Sequence, residues 1–147
     1  MEIKDILHPD CTLCAVQGTS KKKILELISH TATQQLTDID QATILSSLMC
    51  REKMGSTGIG GGIALPHGRI QSLENVMALL ITSETPIQFE AIDNAPVDIF
   101  FAILVPEEKA SEHLGTLSAI AQKLNDKATL IRIRNAKTNQ ELFEAVN

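Results

Sequence analysis

Apolar positions along this chain alternate between two periods. Ile24, Leu25, Leu27, Ile28 and Ala32 recur at helical spacing behind Ser20, whose hydroxyl suits an N-cap, so a helix is expected from Ser20. The capping-box pattern Thr37-Asp38-Ile39-Asp40 predicts a second helix, with Ile39, Ala42, Leu45, Leu48 and Met49 inward and Arg51 at its end. A third is expected over Glu107–Asp126, with Leu114, Leu117, Ile120, Ala121 and Leu124 inward and with Gly115 costing about 1 kcal/mol against alanine. Thr138-Asn139-Gln140-Glu141 is a further capping box, opening a terminal helix through Leu142, Phe143 and Val146.

Between these lie strand signals. Cys11–Val16 and Val76–Ile81 read as strands, and the unbroken apolar run Val97–Val105 reads as a central strand buried on both faces. Ile3–Leu7 is a short turn or helical start, His8-Pro9 an expected turn, and Pro86–Phe89 a short piece leading into a turn at Asp93-Asn94. Alternating strands and helices predict an α/β fold, a mixed β-sheet with helices on both faces. With 147 residues, one domain spanning 1–147 is expected.

Composition narrows the function classes. The net charge of −5 leaves no electrostatic footprint for nucleic acid, and the one basic run, Lys21-Lys22-Lys23, reads as a solvated helix face. The longest apolar run, Ile99–Val105, is far short of the roughly 20 residues that cross a bilayer, and no charged-then-apolar leader opens the chain, so the cytoplasm is the expected location. Aromatic content is 3%, which leaves no evident platform for stacking a sugar or base. Cys11-Thr-Leu-Cys14 is formally a C-x-x-C, but it lacks a second pair for zinc and falls on a predicted strand, where residues three apart face opposite ways; a structural role is expected.

The chemistry concentrates between Met54 and Ile70, which hold six of the eight glycines. Glycine-rich backbone turns sharply and brings N–H groups close to a bound group. Pro66 then ends the short strand Ile63-Ala64-Leu65 and presents His67 just beyond it. Neutral imidazole is a nucleophile near neutral pH, and a loop carrying Ser56 and Thr57 can hold an anion in front of it, so phosphoryl transfer onto His67 fits both halves; a tight surface loop with an incidental histidine is the plain alternative. The P-loop pattern fails because Gly61 and Gly62 stand where Lys and Ser/Thr are needed, and the dinucleotide pattern fails at Ile63. Arg51 either complements a helix C-terminus or offers a guanidinium to phosphoryl oxygens, a role for which Arg69 competes. His113, near a helix start, is either a polar end residue or a partner to a nearby anion.

The run Ser56-Thr-Gly-Ile-Gly-Gly-Gly-Ile-Ala-Leu-Pro-His-Gly-Arg69, preceded by Arg51-Glu52, resembles the phosphorylation-site motif of IIA proteins of the bacterial phosphoenolpyruvate-dependent phosphotransferase system, fructose/mannitol superfamily. Pro96–Pro106 leading to Glu112-His113-Leu114 is similar to that family's second landmark, and within it the chain is most similar to the nitrogen-regulatory branch. The resemblance implies a phosphoacceptor His67 that attacks through Nε2, with His113, Arg51 and the loop residues Ser56, Thr57 and Gly58 around the phosphoryl group. It implies an HPr-like phosphocarrier as donor and no metal or nucleotide cofactor. Readout is implied through target proteins such as potassium transporters, sensor kinases or metabolic enzymes. A sugar-specific IIA component and an unmodified anion- or partner-binding module are the two alternatives.

Overall fold

A computed structural model describes residues 2–18 and 20–147. The elements are α1 (Ile3–Ile6), β1 (Leu7–Val16), α2 (Lys21–Thr33), α3 (Gln41–Lys53), β2 (Gly58–Gly60), β3 (Ile63–Ala64), β4 (His67–Ile70), β5 (Met77–Ile87) and β6 (Val97–Pro106). A 3-10 helix (Glu107–His113), α4 (Leu114–Leu124), α5 (Lys127–Asn135) and α6 (Asn139–Ala145) complete the chain. The fold is α/β, with a mixed six-stranded sheet in the order β1-β5-β6-β3-β2 and with β4 also on β6. Helices cover both faces: Ala78 to Ile81 of β5 and Ile99 to Leu104 of β6 are buried at every consecutive position, which demands cover on each side.

The central strand organises the site. β6 pairs antiparallel with β5 along one edge, while its other edge takes β3 (Ile63 opposite Ile99) and then β4 (His67 opposite Ile103), both parallel. β3 and β4 follow one line along β6, interrupted at Leu65-Pro66 because proline has no N–H to give a ladder. The Pro66 carbonyl still accepts from Ile103 N at 2.9 Å, so the interruption is tied to the sheet and His67 emerges at a fixed register.

Several boundaries differ from expectation. Ser20 caps α2, accepting from Lys23 N at 3.1 Å, and Thr138 caps α6, accepting from Glu141 N at 3.0 Å. By contrast α3 opens not at the Thr37 box but at Asp40, which accepts from Thr43 N at 2.8 Å; Leu45, Leu48 and Met49 pack inward as expected and Ile44 joins them, while Ala42 is exposed. His8 lies in β1 rather than a turn, since β1 is an edge strand and tolerates Pro9. β5 runs on through Pro86 and Ile87, with an irregular register between Thr82 and Ile87. The helix expected over Glu107–Asp126 is a 3-10 segment kinked at Lys109 and then α4, with Leu114 67% exposed instead of inward. Lys21 does not sit on a solvated face: it is half-buried against Glu52 and Phe89. In the C-x-x-C, burial pushes the Cys11 thiol up to about 11, opposed to thiolate chemistry, and Cys14 Sγ donates to the Ala136 carbonyl.

Candidate functional site

The site forms where the last turn of α3 meets the start of β4. Ser47 Oγ donates to the Arg69 carbonyl at 2.8 Å, pinning α3 to β4, and this close approach depends on Gly68, where an added Cβ would sit 3.2 Å from Ser47 Cβ. One turn after Ser47, on the same helix face, comes Arg51. Arg51 Nε donates to His67 Nε2 at 3.2 Å, and its Nη1 donates to the Gly55 carbonyl at 2.8 Å.

His67 is half-buried and both ring nitrogens are engaged. Nδ1 lies 2.8 Å from the Leu65 carbonyl. A carbonyl only accepts, so Nδ1 carries the proton; Nε2 is then the nitrogen with the lone pair, which matches its acceptance of the Arg51 N–H. Burial is the leading cause that lowers the His67 pKa, and the Arg51 charge adds to it, against opposing contributions from the Leu65 hydrogen bond and Glu52. At neutral pH the ring is therefore neutral, with Nε2 unprotonated.

The loop between α3 and β3 is braced by the protein itself. The Glu52 carboxylate accepts from Thr57 N at 2.7 Å and from Thr57 Oγ1, while Ser56 Oγ donates to the Phe89 carbonyl at 2.9 Å and accepts from Gly58 N at 3.1 Å. The two hydroxyls are thus spent on holding the loop's shape. Gly58 packs so tightly that a Cβ would lie 2.6 Å from that of Ala91. Gly61 N donates to Asp93 at 3.1 Å, its carbonyl accepts from Arg134 at 2.8 Å, and Arg134 forms a two-pronged pair with Asp98. Gly60, Gly61 and Gly62 all have positive φ, and they build the chain's own tight turn and latch.

Of the residues the sequence put forward, Arg51 and His67 are brought into direct contact, with Ser56, Thr57 and Gly58 in the adjoining loop. Arg69 is exposed and, two residues along β4, shares the face of His67. His113 stands at the N-cap of α4 with no side-chain capping bond and no hydrogen bond to His67 or Arg51. Sequence reasoning passed over Ser47 and Glu52. The spacing of Ser47 one turn before Arg51 was a signal for the first; Glu52 was visible only as part of a motif.

The sheet thus presents one neutral, tautomer-fixed histidine beside an arginine. Residues 5–147 match the model of the family described as "Phosphoenolpyruvate-dependent sugar phosphotransferase system, EIIA 2", and the chain belongs to that family. Its similarity within the family is to the nitrogen-regulatory branch: it is 42% identical over 147 residues to the nitrogen regulatory protein of Klebsiella oxytoca, covering 99% of this chain and 90% of the relative. The crystal structure of nitrogen regulatory protein IIA-Ntr from Neisseria meningitidis superposes with a TM-score of 0.91 at 30% identity, over 99% of both chains. IIA mannitol from Escherichia coli, at 14% identity, shares the fold, with a TM-score of 0.78 over 95% of this chain and 98% of that one. Among the described residues, no helix is long and apolar enough to cross a membrane.

Proposed function

We propose that this chain is a regulatory phosphorelay protein of the nitrogen branch, acting in the cytoplasm, which accepts a phosphoryl group on His67 from an HPr-like phosphocarrier and controls target proteins by its phosphorylation state. One observation carries the reading: Nδ1–H is fixed on the Leu65 carbonyl, which leaves the Nε2 lone pair as the nucleophile next to a permanent cation.

In the transfer, Nε2 attacks phosphorus in line with the N–P bond of the carrier's phosphohistidine; that bond breaks as the new one forms, and the carrier keeps its imidazole. Arg51 leaves the lone pair and takes the phosphoryl oxygens, so its charge follows the charge that moves. His113 closes from the α4 N-terminus as a second donor. In the loop of Ser56, Thr57 and Gly58, the hydroxyls keep the shape, and the Ser56 N–H, which has no partner among the described residues, is the donor open to an oxygen. No metal or nucleotide takes part, because the phosphoryl group arrives already activated on nitrogen.

The added phosphoryl group brings about −1.5 to −2 charges. That is enough to switch which partners the rim accepts, among them potassium transporters, sensor kinases or metabolic enzymes. The family's description names a sugar phosphotransferase system, which supports a second reading as a sugar-specific IIA component. Passage of phosphate from His67 to a IIB protein separates the two. The test is intact mass after incubation with phosphoenolpyruvate, the first relay enzyme and an HPr-like carrier. An acid-labile gain of one phosphoryl group by the wild type, absent in His67→Ala, supports the relay; no gain with the carrier shown to be charged overturns it in favour of a binding module.

A further inference from the structure

Glu52 is a buried carboxylate that the transfer chemistry leaves unused. Its side chain is 6% exposed, an unusual place for a charge unless it is fully partnered. The partners are present: Thr57 N at 2.7 Å from Oε1 and 3.1 Å from Oε2, Thr57 Oγ1, and Lys21 Nζ at 3.5 Å from Oε2. Lys21 arrives from the first residue of α2, stacks its ammonium 4.7 Å from the Phe89 ring centroid, and donates to the Phe89 carbonyl at 3.3 Å, the same oxygen that Ser56 Oγ binds. It also stands 3.8 Å from Glu90, a residue held at a φ of 58°. Three segments distant in sequence, the start of α2, the end of α3 and the 89–90 loop, thus converge on the turn that follows Arg51.

That turn sets where Arg51 points. The Gly55 carbonyl holds Nη1 at 2.8 Å, and Gly55 lies between Glu52, in the last turn of α3, and Thr57, which Glu52 clamps. The clamp closes a short loop over Gly55, so its carbonyl is fixed against the guanidinium and Nε–H is aimed at His67 Nε2.

We propose that Glu52 is a positioning residue for phosphoryl transfer: tethered by Lys21, it clamps Thr57 and thereby fixes the Gly55 carbonyl that orients Arg51 on His67. This role deepens the relay reading and rests on it. Geometry of this kind is read most strongly in the rate, since a displacement of about 1 Å at a reacting group costs on the order of a hundredfold.

The test compares wild type, Glu52→Gln and Lys21→Met, each with a thermal melt. Uptake is measured from the charged HPr-like carrier, and the His67 imidazole is followed by 15N NMR without phosphate. Glu52→Gln keeps the volume but removes the charge, and its single oxygen cannot both accept from Thr57 and face Lys21, so the clamp loses its tether. Its kcat is expected to fall about a hundredfold with KM unchanged, and its His67 Nε2 signal to move toward that of an unbonded ring nitrogen. Lys21→Met is expected to move both readouts the same way by less. Wild-type kcat and an unmoved Nε2 signal in a folded Glu52→Gln overturn the role; if that variant does not fold, the same pair of results in Lys21→Met overturns it. A wild type that takes up no phosphoryl group overturns the relay reading and this role with it, an outcome told apart by the unmutated control.

Discussion

His67 and His113 occupy unlike surroundings, although the chain offers both at the edge of an element. His67 begins a strand registered on β6, has a carbonyl on one nitrogen and an arginine on the other, and is neutral because it is half-buried beside a cation. His113 ends a kinked 3-10 segment, lacks a side-chain capping bond, and is followed by Leu114 at 67% exposure. The difference separates a group whose hydrogen bonds are set before any ligand arrives from one that has none set toward His67 or Arg51. Preorganisation belongs to the α3–β4 junction; adaptability belongs to the start of α4.

Removing the preset cation breaks the comparison most sharply. Arg51→Ala is expected to lower the rate of phosphoryl uptake about a hundred- to a thousandfold, the scale of losing one donor aimed at developing charge, in a stopped assay with charged carrier. The same variant raises the His67 pKa, because the guanidinium now holds it down, and an NMR titration reads that shift. His113→Ala is expected to cost less, about ten- to a hundredfold, the worth of a single hydrogen bond to a charged group, and to leave the resting His67 titration unmoved. Had His113 been preset like His67, both readouts would change.

pH sharpens the same contrast. The folded pKa of His67 lies below the ordinary 6.5, so the unfolded chain binds more protons between the two values. Its contribution to stability is therefore complete above 6.5 and is lost as pH falls through the folded value. Uptake should stay level across neutrality and decline only below 6.5, where an unshifted histidine would already be half protonated at that point. The smallest expected effects lie in the latch. Gly61→Ala, with open space but φ at +66°, should cost about 1–2 kcal/mol in a denaturant melt. Gly62→Ala, whose Cβ would lie 2.6 Å from Arg134 Nη2, should cost more, because the Asp98–Arg134 pair must also give way.

How much of this was legible depended on whether a residue's role is local. The β6 run, the Ser20 cap, and the break at Pro66 that releases His67 follow from hydrophobic periodicity and proline's missing donor, and the structure reproduces them. Two capping candidates three residues apart, Thr37 and Asp40, left the start of α3 open, although Leu45, Leu48 and Met49 pack inward as expected. Lys21 was read locally as solvated, Glu52 as part of a motif and the loop glycines by their freedom to turn. The partners that place them lie far along the chain: Glu52 and Phe89 for Lys21, Asp93 and Arg134 for Gly61. No window of sequence contains those pairs. The tautomer of His67 falls between these cases, since the resemblance implied attack through Nε2 while only the Leu65 carbonyl supplies the reason.

Selection of Nε2 of His67 as the phosphoacceptor is tested most directly by 15N and 31P NMR of the ring-labelled protein after charging by the carrier. A phosphorus–nitrogen bond at Nε2 is expected, with Nδ1 still protonated and donating to the Leu65 carbonyl. Phosphate found on Nδ1, or on a residue other than His67, would contradict it.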